Sequence, residues 1–401
     1  MPWKENSVSD MRVRFIAEYL SQSLSFSDLC REFNVTRRTG YKYVERYELY
    51  GPAGLVDQSR AAHSHPNTTP DSIQNSILDL KEQHPTWGSK KLRSRLILDH
   101  PNVNWPAAST IGDLLKSKNL VQSRRRPRPS GSFPTGLTYP DSPNSVWTTD
   151  FKGEFRLRNS SLCYPLTICD RNTRMLLACN ALPSTATVGA KAVWIATFRE
   201  YGLPKVIRSD NGTPFASVGI GGLSQLSAWW IRLGILPERI APGKPQQNGS
   251  HERMHRTLKA EVASKPQASF KAQQQAFNDF VHEYNYTRPH EALGLVPPAT
   301  VYSTSSRQYP RILPEIEYPS GLATRHVRTN GQVRWQGGLI FLSEVLAGEH
   351  VAFEQIEDRL WAFYYGPVPI AILDDSNKSW DRSRKANRLL RELRKETLDI
   401  L

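Results

Sequence analysis

Three carboxylates in this sequence sit where a carboxylate has no ordinary structural use. Asp150 falls within a strand-like run, Trp147-Thr148-Thr149-Asp150-Phe151. Asp210 ends an apolar run, Ile207-Arg208-Ser209-Asp210-Asn211-Gly212, and Glu252 opens a helical one, Asn248-Gly249-Ser250-His251-Glu252-Arg253. Aspartate is disfavoured within strands and costly to bury, so these positions need a reason. Holding a divalent cation is the simplest. Mg²⁺ takes hard oxygen ligands and keeps several waters, so two or three carboxylates leave room for phosphate oxygens. Two ions about 3.5–4 Å apart can activate an attacking hydroxyl and stabilise the leaving one in an in-line displacement. Water as the attacker gives hydrolysis; a DNA 3′-OH gives transesterification. Each Asp by itself is weak evidence, since a strand-end Asp is usually a turn or cap residue, so the inference rests on the set and its flanking words.

Those words are Trp147-Thr-Thr-Asp150; Ser209-Asp210-Asn211-Gly212-Thr213-Pro214-Phe215; Pro242-Gly-Lys-Pro-Gln-Gln-Asn248-Gly249 leading to Glu252; and Tyr284-Asn285-Tyr-Thr-Arg288-Pro289-His290. In this order, segment 144–300 resembles the catalytic core shared by retroviral integrases and bacterial insertion-sequence transposases. The resemblance implies an RNase H-like fold with the first Asp on the central strand and the second on its neighbour. The third acid would come from a helix closing over the site. It also implies a metal-dependent DNA transposase that cleaves and joins strands. Asp150, Asp210 and Glu252 would be its catalytic and metal-binding triad, holding two Mg²⁺ ions per site, with Mn²⁺ able to substitute. Between Asp210 and Glu252 lie 41 residues, more than the commonest family spacing. The surplus falls in Ala216–Ser227, rich in Gly and Ser, which reads as a loop. Glu261 on the same helix therefore stands as the alternative third acid, with Glu252 better placed behind the Pro–Gln–Asn–Gly word. Arg256 and Lys259 share the Glu252 face of the helix and suit DNA phosphates, or form a solvated face. His251 and His255 flank Glu252 but suit zinc better than magnesium and are not expected as ligands.

The elements that must position these residues are legible in periodicity. Strand patterns over 145–157, 161–170 and 173–182, a helix over 185–201 and a short strand over 205–208 give the order of an α/β domain. Two helices come next, over 249–263 and 270–286. Beyond Pro297-Pro298, short strands at regular spacing predict a small barrel over 310–375. A charged amphipathic helix, 380–401, places Leu389, Leu390, Leu393 and Ile400 on one side, to dock on a partner subunit or on its own barrel.

Upstream, residues 1–60 read as a helix-turn-helix. Val13, Ile16, Ala17 and Leu20 form one apolar stripe, and Phe26, Leu29, Cys30 and Phe33 a second. Thr36 is placed to cap a third helix whose opening turns carry Arg37, Arg38, Tyr41 and Lys42, where a recognition helix touches DNA. Gly40 is a flaw in that helix, costing up to about 1 kcal/mol against Ala. A second such unit, 71–122, offers Lys90 and Lys91 for DNA. The stretch 123–143, with Arg124, Arg125 and Arg126 among prolines, reads as an extended basic linker able to track phosphates or to act as a hinge. The expected fold class is thus multidomain α, α/β and β: tandem helix-turn-helix units, an RNase H-like mixed α/β core over 144–300, and a small C-terminal barrel.

Composition agrees with a polyanionic partner. The 401 residues hold 52 Lys and Arg against 38 Asp and Glu, a net charge of +14. Length points to several domains. No apolar run reaches the roughly 20 residues that span a bilayer, and no secretory leader opens the chain, so a bacterial cytoplasmic, nucleoid-associated location is expected. Cys163, Cys169 and Cys179 read as small core residues, without the close Cys spacing of zinc sites. The expected partners are the terminal inverted repeats of its own element, target DNA and further copies of the chain. A catalytically dead DNA-binding relative and an RNase H-like nuclease that cannot join strands are the alternatives. A retroviral origin is disfavoured, because the His-His-Cys-Cys pattern expected upstream of such a core is absent.

Overall fold

The computed structural model describes residues 8–57, 68–121, 136–217, 219–319 and 321–400. It divides into two compact units, Met1–Pro70 and Asp71–Leu401. Arg124, Arg125 and Arg126 lie outside the described residues.

The first unit has α1 (Val8–Ser21), α2 (Phe26–Glu32) and α3 (Arg37–Tyr50) around Phe15, Ile16, Leu29, Cys30, Val44 and Leu55. Ser25 and Thr36 cap α2 and α3 by accepting from the amides of Asp28 and Thr39, and Asn34 makes the turn with φ of 53°. The second stripe is in this core, but the first is corrected. Val13, Ala17 and Leu20 are exposed; of that stripe Ile16 is buried, and α1 turns Phe15 and Tyr19 inward beside it. Phe15 meets the rings of Phe26 and Phe33 edge-on, an aromatic contact that outweighs a purely aliphatic stripe. Gly40 has its own reason. A Cβ there would lie 2.9 Å from both Cys30 Sγ and Phe26 Cζ, so α3 approaches α2 this closely only with glycine.

The second unit begins with α4 (Asp71–Gln83), α5 (Ser89–Asp99) and α6 (Ala108–Ser117), closed around Ile77, Trp87, Leu92, Trp105 and Ile111. Hydrogen bonds tie these helices to segments nearly two hundred residues downstream. His84 bonds Glu283 at 3.0 Å, Thr86 donates to Glu261 at 2.5 Å, and Ser94 donates to the Leu295 carbonyl at 2.8 Å.

A mixed sheet forms the centre. Its strands are β1 (Val146–Phe151), β2 (Phe155–Arg156), β3 (Leu162–Asp170), β4 (Leu176–Leu182), and then, after helix α7 (Thr187–Tyr201), β5 (Val206–Ser209). Helix α8 (Gln225–Arg232) leads to the last strand, β6 (Leu236–Arg239). β1 pairs antiparallel with β3 and parallel with β5, which pairs parallel with β6; β2 and β4 pair with β3. β1 is therefore interior and both its faces are covered. Trp147, Ile207, Trp194, Phe198 and Trp230 fill one side, and α9 (Gly249–Leu258) with α10 (Phe270–His282) covers the other through Met254, Leu258 and Phe277. The stretch read as a surplus loop runs directly into α8, which the sequence did not reveal. Leu226 through Ile231 are all buried in a helix only eight residues long behind a Gly- and Ser-rich stretch, and β6 is four residues long with Pro237 inside.

The C-terminal region holds β7 (Ala323–His326), β8 (Gln332–Trp335), β9 (Gly338–Phe341), β10 (His350–Glu357), β11 (Leu360–Tyr365), β12 (Val368–Asp374) and β13 (Ser379–Trp380). The expected barrel is not formed as a closed sheet among the described residues. Five strands make an open sheet in the order β13-β12-β11-β10-β7, and β8-β9 is a separate hairpin packed on it. Closure is replaced by fusion with the central domain. Val333, Phe353, Phe363 and Ile370 share one apolar core with Val146, Val206, Ile231 and Leu236. The final helix, α11 (Arg384–Ile400), packs Ala386, Leu389 and Leu390 on Leu360 and Ile372 of its own sheet. Those two leucines are thus occupied within the chain.

Candidate active site

The sheet brings two aspartates to adjacent strand ends. Asp150 is next to last in β1, and Asp210 comes directly after β5, its parallel neighbour. The Gly212 amide donates to Asp210 at 3.0 Å, and a Cβ on Gly212 would stand 3.1 Å from the carboxylate, so glycine lets the turn fold back on the acid. Glu252 lies in the first turn of α9 and is exposed, and no hydrogen bond or ion pair holds it among the described residues.

Asp150 feels the other two acids. Burial pushes the Asp150 carboxyl up to about 7, and the charges of Asp210 and Glu252 add to the rise, against relief from the Phe151 amide and Lys152. Among the described residues, no three Asp, Glu, His or Cys side chains surround a common point closely enough to grip an ion. The donor set nevertheless fits a hard dication. It consists of carboxylates whose charges act on a partly desolvated aspartate, with repulsion that a bound cation would relieve.

Glu261, the alternative acid, has a different occupation. Its carboxylate accepts from Arg288 at 2.6 Å and from Thr86 at 2.5 Å, joining the π-turn after α9 to α4–α5 and to the segment after α10. Already neutralised, it serves as a structural clamp.

Beneath Glu252, the structure shows a device that the sequence pattern did not assign. His251 bonds Thr148 Oγ1 at 2.8 Å and Thr167 Oγ1 at 2.7 Å, and His255 bonds the same Thr167 hydroxyl at 2.7 Å. Thr167 in turn donates to the Asp150 carbonyl at 3.0 Å, and His255 Nδ1 lies 3.7 Å from the Asp150 carboxylate. Burial holds both imidazoles neutral, His255 down to about 3, as a ring that donates on one side and accepts on the other requires. Two histidines one turn apart, opposite two mid-strand threonines, thus fasten the Glu252 helix to the Asp150 strand. Their spacing on the buried side of an amphipathic helix was the available signal.

The remaining candidate residues are dispersed. Arg37, Arg38, Tyr41 and Lys42 are exposed on α3; Arg37 reaches Ser27, and Tyr41 stacks on Phe26 at 4.1 Å. Arg256 and Lys259 are exposed at and just beyond the end of α9. Lys90 is exposed, but Lys91 is half-buried, and burial with nearby Arg288 takes its ammonium down to about 8. Lys91 belongs to the junction between α5 and the central domain, where its neighbours are Arg288, Glu291 and Glu261. All four cysteines are buried free thiols, and among the described residues no helix is long and apolar enough to cross a membrane.

Comparison with known proteins gives the domain types. Residues 140–245 and 233–298 each match the description "Integrase core domain". Residues 140–298 thus carry an integrase core. Residues 11–63 match a helix-turn-helix domain and 39–115 a homeodomain-like domain, so modules of DNA-binding type stand ahead of the integrase core. An insertion element IS476 protein of Xanthomonas euvesicatoria is 28% identical over 251 residues, covering 61% of this chain and 69% of that one. The Gag-Pol polyprotein of baboon endogenous virus is 30% identical over 193 residues, 46% of this chain but 10% of the polyprotein. Among solved structures, the HTLV-2 integrase catalytic core domain in complex with magnesium is similar over 41% of this chain and 99% of that chain. It shows 14% identity and a TM-score of 0.33.

Proposed function

We propose that this protein catalyses metal-dependent DNA strand cleavage and strand transfer, moving an insertion element whose terminal inverted repeats its N-terminal helices read. The observation that carries the reading is the crowding of carboxylates at Asp150, whose acid is raised to about 7 by burial and by Asp210 and Glu252. Such a cluster destabilises the protein unless a cation uses it. Asp150, Asp210 and Glu252 are the residues that would hold Mg²⁺, or Mn²⁺ in its place, with two ions per site. The ions would supply charge for the attacking and leaving oxygens of a phosphodiester.

The other roles belong to the chain. β1 and β5 fix the two aspartates by backbone pairing, so they need no reorganisation when DNA arrives. The His251–Thr148 and His255–Thr167 bonds hold α9 so that Glu252 faces them. Arg256 and Lys259 lie along phosphates of the bound strand, and Arg37, Arg38, Tyr41 and Lys42 meet the terminal repeat, with Lys90 and the Arg124–Arg126 run as added phosphate contacts. Two element ends must be held beside one target, so the working species is a homodimer or larger assembly on DNA, acting at the nucleoid. The test is Asp150→Asn, Asp210→Asn and Glu252→Gln, assayed for cleavage and joining of terminal fragments in Mg²⁺. Each is expected to lose both activities and keep DNA binding. Full activity in any of the three overturns its role, and cleavage without joining by the unaltered protein would make it a nuclease.

A further inference from the structure

A cavity of about 1180 Å³ runs between β6, the 220–222 turn and α11, over β12, and Asn211, the residue after Asp210, stands in its wall. Small-molecule pockets occupy roughly 300–1,000 Å³, so this volume suits a polymer segment. Six basic side chains line it, Arg239, Arg391, Arg394 and Lys395 among them, against the two acids Glu238 and Asp381. Two acids do not balance six basic side chains, and Glu238 is already shared with Arg208. Glu238 accepts from Arg208 and from Thr138, and Asp381 accepts from the Ser383 amide. Arg239 and Arg394 are held by carbonyls instead, those of Gly221 and Pro369. Burial and the nearby Arg239 lower the Arg394 guanidinium to about 10, against partial relief from Glu238, so like charges are kept together here with one acid nearby. Gly222 makes room for this arrangement, since a Cβ there would fall 1.8 Å from an Arg239 guanidinium nitrogen.

Trp380 lines the cavity and also a neighbouring hollow of about 380 Å³, formed with Trp335, Leu339, Phe341 and Lys378. Leu339 is 45% and Phe341 49% exposed, an unusual display for apolar side chains beside a cationic channel. Trp380 is fixed by donating its indole N–H to the Phe341 carbonyl at 2.8 Å. The basic wall and the aromatic shelf are thus two parts of one continuous surface.

We propose that this channel binds a short single-stranded segment of DNA, with phosphates along Arg239, Arg391, Arg394 and Lys395 and unstacked bases on Phe341 and Trp380. Cationic grooves beside aromatic platforms hold single strands because every base offers a π-face, whereas paired bases in a duplex do not. Asn211 sets one end of the channel next to the carboxylates, where a strand separated near the cut would enter. The inference rests on the proposed DNA chemistry only for the source of that strand.

The test uses the full chain in EDTA, so catalysis has no part in it. A fluorescent twelve-nucleotide dT oligomer is titrated by anisotropy, with excess unlabelled duplex occupying the duplex-reading elements. Saturable binding that survives the duplex is expected. Arg391→Gln with Lys395→Gln, both exposed positions on α11, should reduce the slope of log K against log salt by about 1.4, at about 0.7 per charge for single strands. Phe341→Ala should weaken binding about 5- to 100-fold with the slope unchanged, and Phe341→Trp should retain it. Displacement of the oligomer by duplex, or an unaltered slope in the double variant, overturns the proposal. So does equal affinity of the Ala and Trp variants. Strand cleavage by the unaltered protein in Mg²⁺ is scored separately, so either reading can fail alone.

Discussion

Replacing Asp150 with Asn should stabilise the metal-free protein while abolishing its chemistry. The fold raises this carboxyl from 3.8 to about 7, chiefly by burial and then by Asp210. A raised acid costs nothing below pH 3.8, where both folded and unfolded chains are protonated. Stability is then lost as pH climbs to about 7, because the unfolded chain ionises freely and the folded one does not. Three pKa units at 1.36 kcal/mol each set a ceiling of about 4 kcal/mol. The Asp150 side chain is 26% exposed, and water screens part of that cost, leaving about 2–3 kcal/mol at pH 8. Asparagine copies the protonated shape without the charge. Urea unfolding in EDTA, followed by tryptophan fluorescence (Trp147 lies in the same strand), should give that gain at pH 8 and about 1 kcal/mol at pH 5. Adding Mg²⁺ should stabilise the unaltered protein and leave the variant where it was. A variant less stable than its parent at pH 8 without metal would refute the reasoning, because Asp150 would then be a structural partner.

The remaining predictions address neighbouring features. Glu261→Gln strips the charge partner from Arg288, which is 7% exposed, and should cost about 2–4 kcal/mol in the same unfolding assay while cleavage in Mg²⁺ persists. Glu252→Gln should do the reverse, changing stability by less than about 0.5 kcal/mol, as expected of an exposed residue, and removing activity. The His290 imidazole is driven down to about 3 by burial, with Lys91 and Arg288 adding to it. Its contribution is therefore intact above the unfolded value near 6.5 and is lost as pH falls from there towards 3, about 1–2 kcal/mol by pH 5. His290→Gln should flatten that part of the pH–stability curve, and an unchanged curve would mean the ring stays accessible. Gly40→Ala, which helix propensity alone would favour by about 1 kcal/mol, should instead cost about 1–3 kcal/mol, because its methyl meets Cys30 and Phe26 at 2.9 Å. Thermal unfolding of residues 1–70 decides the sign.

By itself, the sequence determined the class of the protein and the strand–helix order that leads to its acids. Mid-strand Asp150 and strand-end Asp210 were legible because a carboxylate in an apolar run violates local propensity, and such violations collect at functional sites. The alternation of β1, β3 and β4 and the amphipathic pattern of α9 were equally plain, since each has one face in the core. Elements without a local signature were left to the tertiary structure. α8 is only eight residues long and begins within a Gly- and Ser-rich stretch, and α1 turns Phe15 and Tyr19 inward because a ring on α2 awaits them. Whether the C-terminal strands close depends on hydrogen-bond partners far apart in sequence, and they share the central core instead of closing. What distinguishes the surroundings of Glu252 from those of Glu261 is likewise tertiary. Both acids lie along the same stretch of chain, and only the arrival of Arg288 and Thr86 from distant segments occupies Glu261 and leaves Glu252 free. Local pattern reports which face of an element is apolar. It carries no record of which distant residue will meet that face, and that meeting decides where charge is neutralised and where it stays available for chemistry.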